Sequence, residues 1–301
     1  MLKQGAAQQI STHFFRPSAD VAPYISSFYI IDFALGADEI VTDWLHPEWG
    51  NIRFSENDCW FAGTDGRFEP LPPQVGTGPT SHTIPFRIHG PTRIWGVGIL
   101  PRGWLRLMDA PANSLADLTM GCTQTSPFAD FAGLREATFD GTQDPIGEAA
   151  RINEFLRGLL VKRPPHEDEA RIRAIHMALF DSSIRSVADF AAKIELSSRS
   201  LERISLRAFG FPPKLLMQRQ RFLRSLSQFL LDPSLAWIKT LDENYVDQAH
   251  FVRDFKKFML MSPSTYAALD HPVLISASRN RAATAGAAVQ ALHRPDQPSG
   301  T

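Results

Sequence analysis

Cysteine is nearly missing from this 301-residue chain, which has only Cys59 and Cys122. Two cysteines cannot build a disulfide framework or a multi-cysteine zinc site. Long apolar runs are missing as well: the stretch 94–100 is strand-sized, far short of the roughly 18 residues that would suggest a membrane span. Residues 1–9 lack a charged start followed by an apolar segment, so no secretory signal is visible. There is no Gly-x-Ser-x-Gly, Walker loop or dinucleotide fingerprint, hence no positive case for catalysis or for a cofactor. These absences imply a soluble cytoplasmic protein that is not an enzyme and has no membrane partner. What is present, 44% hydrophobic and 21% charged residues, fits a core-forming globular chain and excludes a disordered, collagenous or coiled-coil one.

A net charge of −1 hides an asymmetry. Residues 1–170 carry 13 Lys and Arg against 21 Asp and Glu, whereas residues 171–270 carry 15 against 10. A basic segment joined to an acidic one suggests that only the second part meets a polyanion, although scatter is the bland alternative. Lys162-Arg163-Pro164-Pro165-His166-Glu167-Asp168-Glu169 marks the boundary, since two prolines in a charged run stop a helix. The expected organisation is a first domain at 1–161, a linker at 162–169, a second domain at 170–272 and a tail at 273–301. That tail, rich in Ala, Arg, Gly and Pro without apolar period, reads as disordered.

Short apolar stretches at 24–33, 51–54, 83–89 and 94–100, bounded by turn residues, read as strands of a sandwich or barrel. From 127 to 160 the pattern turns helical, with Ile152, Phe155, Leu156 and Leu159 on one face. Past the linker all is helical. Val187, Phe190, Ala191 and Ile194 form one stripe; Ser197 is an N-cap for a helix burying Leu201, Ile204 and Ala208. Gly210 stops that helix, Pro212-Pro213 restarts a long one to about 230, and a weaker helix spans 235–243. Asp247 then caps a helix with Phe251, Phe255 and Phe258 inside.

Residues 187–210 and 236–260 thus share one design: short helix, tight turn, capped second helix. That is a helix-turn-helix layout, whose second helix fits the major groove of DNA. The outward set is Ser198, Arg199, Glu202, Arg203 and Arg207 in the first unit. In the second it is Gln248, Ala249, Val252, Arg253, Lys256 and Lys257. Arginine can pair with guanine, glutamate can accept from cytosine, and Val252 can meet a thymine methyl. An 18-residue connecting helix, about 27 Å long, is a plausible spacer for two adjacent grooves. Its basic residues Lys214, Arg219, Arg221 and Arg224 fall on more than one face, so some support the fold. An α-bundle with solvated charged faces is the alternative.

Residues 187–213, VADFAAKIELSSRSLERISLRAFGFPP, and residues 245–266, YVDQAHFVRDFKKFMLMSPSTY, resemble the two helix-turn-helix units of the AraC/XylS family of transcriptional regulators. The resemblance covers about one third of the chain, residues 170–270. It implies double-stranded DNA as partner, with base contacts from Arg199, Glu202, Arg203, Gln248, Ala249, Val252 and Arg253. RNA polymerase is a further partner of such a regulator. Four positions depart from the family pattern. Ser205 stands where a core residue is usual, Glu195 and Leu260 where glycine is usual, and Asn244 replaces the glycine before Tyr245.

Residues 1–160 bear a weaker likeness to the regulatory half of some members of that family, in 46–54 and 95–104. The likeness implies a cupin-like β-barrel followed by helices that sense a small molecule or dimerise. Trp44, Trp49, Trp60 and Trp95 are candidates for an aromatic-lined cavity, with Arg87 and Arg102 for an anionic ligand; plain core packing is the alternative. His46, His82 and His89 match no metal-binding spacing. Residues 125–160 are the candidate homodimer contact, unless their stripe covers the barrel instead. The expected fold is therefore α+β and multidomain: a β-rich cupin-like sandwich or barrel with helices, then an all-α domain of two helix-turn-helix units. The expected function is a sequence-specific DNA-binding regulator whose first domain senses a small-molecule effector or dimerises. The rival is a ligand-binding or protein-interaction module with a degenerate DNA-binding domain.

Overall fold

The computed structural model describes residues 9–295 apart from Asp65 and Ala236. Residues 1–8, on which most of the reading of the N-terminus rests, and the last six of the tail lie outside the described residues. The described residues form the strands β1 (Ile10–Phe15), β2 (Ile25–Phe33), β3 (Ile40–Leu45), β4 (Asn51–Ser55), β5 (Trp60–Thr64), β6 (Arg67–Pro70), β7 (Gln74–Thr77), β8 (Ile84–His89), β9 (Thr92–Ile99) and, after the first helix, β10 (Thr119–Gly121). The helices are α1 (Pro101–Leu107), α2 (Leu134–Thr138), α3 (Pro145–Lys162), α4 (Glu169–Ala178), α5 (Val187–Lys193), α6 (Ser198–Phe209), α7 (Pro213–Leu231), α8 (Gln248–Met259), α9 (Pro263–Ala268) and α10 (Leu274–Ala285). The architecture is α+β, a two-sheet antiparallel sandwich followed by helices.

One sheet runs β1-β2-β9-β4-β7-β10 and the other β3-β8-β5-β6. Because side chains alternate along a strand, the six-stranded sheet has two distinct faces. Phe28, Ile30, Ile52, Phe54, Trp95, Val97 and Ile99 pack under α1 and α3, with Ile152, Leu156 and Leu159 from α3. The stripe read as a candidate dimer contact is therefore buried against the chain's own sandwich. Glu148, 1% exposed, fixes α3 there: it takes Arg93 Nη1 and Nη2 at 2.8 and 2.7 Å and Trp95 Nε1 at 2.8 Å.

In the helical half the caps set the element ends. Ser186 and Asp189 form a reciprocal capping box on α5. Ser197 accepts from Ser200 N at 3.2 Å to start α6, and Gly210 at φ 84° ends it in the left-handed region open to glycine. Asp247 caps α8 through His250 N at 2.6 Å. Inside α6 lie Leu201, Ile204, Ser205, Ala208 and Phe209; the Leu, Ile and Phe side chains each contribute about 2 kcal/mol of apolar burial. In the segment expected as a weak helix at 235–243, the described residues hold one 3₁₀ turn at Trp237–Lys239. Leu260 and Glu195 take the left-handed backbone at φ 57° and 53°, at a cost of about 1–2 kcal/mol each, whereas Asn244 does not adopt it.

Ser205 sits at 0% exposure and its hydroxyl has no partner. Ser205→Ala is therefore expected to stabilise the protein by about 1 kcal/mol, read as a higher denaturant midpoint at unchanged slope.

The tail is not disordered over its described part. Its helix α10 packs on β1, β3 and α7, and a return segment ends in a 3₁₀ turn at Gln290–Leu292. Asp43 of β3 anchors the start of α10: Oδ2 accepts from Val273 N at 3.0 Å and Leu274 N at 2.9 Å, while Oδ1 meets His271 Nδ1 at 3.1 Å. The two halves share one seam. Trp49, Leu100 and Leu105 lie in the same core as the helices of the second half, and Thr83 N donates to Phe258 O at 2.8 Å.

Candidate functional site

Two helices at the ends of α7 carry the proposed base-reading residues. Ser198, Arg199, Glu202, Arg203 and Arg207 on α6 are exposed, as are Gln248, Ala249, Arg253, Lys256 and Lys257 on α8; Val252 is half-buried. Arg203 Nη1 lies 3.9 Å from Asp168, and Lys257 Nζ donates to Gln218 Oε1 at 2.9 Å. No ion pair among the described residues neutralises Arg199, Arg207, Arg253 or Lys256. Between the two helices, α7 has 19 residues, a length of about 28 Å. Its own arginines are structural: Arg221 pairs with Asp254 at 2.7 Å, Arg224 with Asp242 at 2.5 Å, and Arg219 is fully buried.

A second feature lies on the other face of the six-stranded sheet. Residues that alternate with the core set, such as Tyr29, Phe33, Asn51, Arg53, Ile94 and Gly98, line a cavity of about 100 Å³ between the two sheets. The return segment after α10 and one face of α10 form its roof, through Leu274, Ala277, Arg281 and Gln290.

Most of the lining is apolar, but its charges are specific. Arg53, 4% exposed, gives Nη2 to Glu48 at 2.5 and 2.7 Å and Nε to Tyr29 Oη at 2.8 Å. Arg281, 5% exposed, gives Nη1 to the carbonyls of Ala287 at 2.8 Å and Val289 at 3.2 Å. Nη1 of Arg53 and Nη2 of Arg281 have no partner. Burial pulls the Arg281 guanidinium down to about 10, with Glu48 and Tyr29 opposing. It pushes His46 down to about 3, the nearby His271 adding to it. At neutral pH the lining thus holds two guanidinium cations and one carboxylate, a net charge of +1.

Of the six residues read as ligand candidates, only Trp60 lines this cavity. Trp95 faces the opposite side of β9, one residue out of step. Trp49 is in the seam between the halves, its ring 3.9 Å under the Arg219 guanidinium. Trp44 makes an edge contact to His271 at 6.0 Å. Arg87 lies over the Phe68 ring at 3.9 Å, and Arg102 pairs with Glu169 at 2.7 Å. Arg53 and Arg281 are what sequence reading missed. The signal for Arg53 was a lone cation between Ile52 and Phe54; for Arg281 there was only a faint period of small residues.

His46 donates to or accepts from Tyr266 Oη at 2.8 Å, and His89 stacks on Phe61 at 4.4 Å. Among the described residues no group of three or more His, Cys, Asp or Glu side chains could hold a metal ion. Nor is any helix among them long and apolar enough to cross a membrane.

A lined, charged cavity in a sandwich, joined by its own roof to a helical half with two outward basic helices, is the architecture in hand. No protein-family model and no curated protein matches the sequence. Among solved structures the chain is similar to ToxT from Vibrio cholerae O395 bound to (E)-4-(8-methylnaphthalen-1-yl)but-3-enoic acid, at 10% identity over 86% of this chain and 98% of that one, TM-score 0.45. It is also similar to unsaturated fatty acid bound wild-type ToxT from Vibrio cholerae strain SCE256, at 13% identity over 88% and 96%, TM-score 0.41. A third is the AraC-like transcriptional activator CuxR, at 14% identity over 73% and 87%, TM-score 0.27. At these identities no residue role is carried across.

Proposed function

We propose that the chain is a sequence-specific DNA-binding transcription regulator whose sandwich cavity senses a small apolar carboxylate. The observation that carries the first part is the set of un-neutralised cations on two capped helices at the ends of one connecting helix. Phosphates would draw in Arg207, Lys256 and Lys257, releasing counterions and making affinity fall with salt. Base edges would then meet Ser198, Arg199, Glu202 and Arg203 in one groove and Gln248, Ala249, Val252 and Arg253 in the next. Two buried guanidiniums, Arg53 and Arg281, against the single carboxylate of Glu48 in the lining support an anionic ligand.

The roof of the cavity is what would connect the two activities. Gln220 of α7 donates to Ala291 O at 2.8 Å, and Gln290 donates to Gly50 O at 3.1 Å. The return segment thus bonds to the sandwich on one side and to the helix between the base-reading helices on the other. A ligand acts here only by its different affinity for the DNA-competent and DNA-incompetent states. A second copy of the chain would meet the outward face of α3, where Ile146 and Val161 are exposed, since the inward face covers the sandwich. RNA polymerase would be the partner at the promoter.

The test is binding of the full chain to DNA from its own upstream region and to scrambled DNA, across a salt series. Arg203→Ala is expected to weaken the upstream complex by about 1–3 kcal/mol, with the loss confined to one base position. Equal losses on both DNAs would move Arg203 from base reading to phosphate contact. No binding to either would favour the rival module, which the unpaired Ser205 hydroxyl and the left-handed Leu260 recommend.

A further inference from the structure

One short stretch of the sandwich touches both the cavity and the second base-reading helix. Leu45 and His46, at the end of β3 and just past it, line the cavity. His46 Nε2 lies 2.8 Å from Tyr266 Oη, in the helix α9 that follows α8. Tyr266 is fully buried, and its ring meets Phe255 of α8 at 5.7 Å and Phe229 of α7 at 6.1 Å. Leu45 O accepts from Thr83 Oγ1 at 2.8 Å, while Thr83 N donates to Phe258 O of α8, also at 2.8 Å. His271 ties the same place again: its ring stacks on Tyr266 at 4.1 Å and its Nδ1 meets Asp43 of β3 at 3.1 Å. The first base-reading helix is held elsewhere. It packs on α1 and on the 3₁₀ turn at Ala112–Ser114, and its Phe209 meets Trp49 edge-on at 5.4 Å. Neither Trp49 nor any residue of α1 or of that turn lines the cavity.

We infer that the effector acts on the second base-reading helix, α8, and leaves the first, α6, as it is. This rests on the cavity reading given above and names which of the two helices the cavity controls. Packed, hydrogen-bonded contacts carry a displacement from one site to another. An occupant that moves residues 45–46 moves groups bonded to unit two at two points: Tyr266 behind α8, and Phe258 O near its C-terminal end. The Phe255 ring lies between them in sequence and against Tyr266 in space, so α8 shifts with the strand end and takes the Gln248–Arg253 face with it. The bond from Gln220 to the roof reaches α7, which both helices share, and so favours neither. Arg199 and Arg203 of α6 stay fixed to the far side of the sandwich. One helix then holds DNA in either state, and the other is switched.

Hydrogen exchange of the full chain, followed by mass spectrometry with and without saturating octanoate, tests this without any variant. Calorimetry on the same sample reads occupancy. Because a bound ligand stabilises the whole native chain, the quantity compared is the difference between the two segments. Exchange over 248–268 is expected to slow about 5-fold or more beyond any slowing over 187–209. Tyr266→Phe keeps the ring and drops the hydroxyl that meets His46. It is expected to cut that excess to about 2-fold or less while octanoate binds as before. Equal slowing in both segments, or an excess that survives Tyr266→Phe, would overturn the inference and leave the cavity standing. No heat of octanoate binding would overturn the cavity reading and the inference with it.

Discussion

Arg281→Met is expected to weaken acid binding about 100-fold and to abolish the rise in melting temperature that bound acid confers. Arg281 is buried and its one near carboxylate, Glu48, is already held by Arg53 at 2.5 Å. The guanidinium therefore gains a counter-charge of its own only when an anion enters the cavity. A charged hydrogen bond of that kind contributes about 1.5–3 kcal/mol, the upper part of which is two decades in affinity. Methionine removes the hydrogen bonds to the carbonyls of Ala287 and Val289 together with the charge, so the empty variant is expected to melt lower, and the binding loss is read as the shift that acid adds above that lower baseline. The control is Arg87→Met. That guanidinium lies over Phe68 outside the cavity, and its loss is expected to leave acid binding unchanged. Thermal shift against octanoate concentration reads both, because ligand stabilisation rises with the logarithm of one plus the ratio of ligand concentration to its dissociation constant. Equal losses in the two variants would place the anion elsewhere.

Mild acid is expected to unfold the protein steeply, and the cause lies in histidines buried without charge. Burial holds His46 and His176 down to about 3. Part-exposed His293 is held down to about 4, by burial first and then by Arg281. In the unfolded chain each takes a proton near pH 6.5. Below that pH the unfolded state binds more protons than the native one, so stability rises with pH and falls as acid is added. The window runs from about pH 6.5 down to the native values. Each histidine contributes up to about 1.4 kcal/mol per pH unit, so two to three together reach about 3–4.

His271 works the other way. Burial lowers it, but Asp43 more than offsets this and it ends raised. Its contribution is present below pH 6.5 and is lost as pH climbs through its native value. Denaturant unfolding at pH 7, 6 and 5 reads the balance. His176→Phe, which sits between Trp49 and Phe209 at 5.7 and 6.0 Å, is expected to flatten the slope by about one proton. A slope unchanged by that substitution would show that His176 is protonated in the native state.

What could be read in the sequence divides by length scale. Capped helices were legible because the cap is local: Ser197, Gly210 and Asp247 act within one turn of themselves. The strands at 24–33 and 94–100 were legible as apolar runs between turn residues. Strand β3 was not, because Thr42 and Asp43 break its apolar pattern; Asp43 is there to hold the start of α10, far along the chain. The wrong face chosen for Trp95 has the same origin. Alternation gives two sets of side chains per strand, and only the packing of α3 against one of them tells core from cavity. The helix α10 was missed because its buried stripe is made of Ala277, Ser278, Arg281 and Ala285, small and polar residues that carry no hydrophobic period. The cavity therefore stayed hidden: part of its polar lining, Ser278, Arg281 and Gln290, sits in a segment that read as disordered. Ser205 is the converse case, a departure visible in sequence whose consequence, an unpaired buried hydroxyl, the structure shows.

Coupling between the cavity and the base-reading helices is the central claim, and one linked pair of titrations tests it. The dissociation constant of the full chain for its upstream DNA would be measured with and without saturating octanoate, and that for octanoate with and without the DNA. A change of about 5-fold or more is expected in the first, the same factor in the second as linkage requires, and neither in Arg281→Met. A DNA affinity that stays constant while octanoate demonstrably occupies the protein would contradict it.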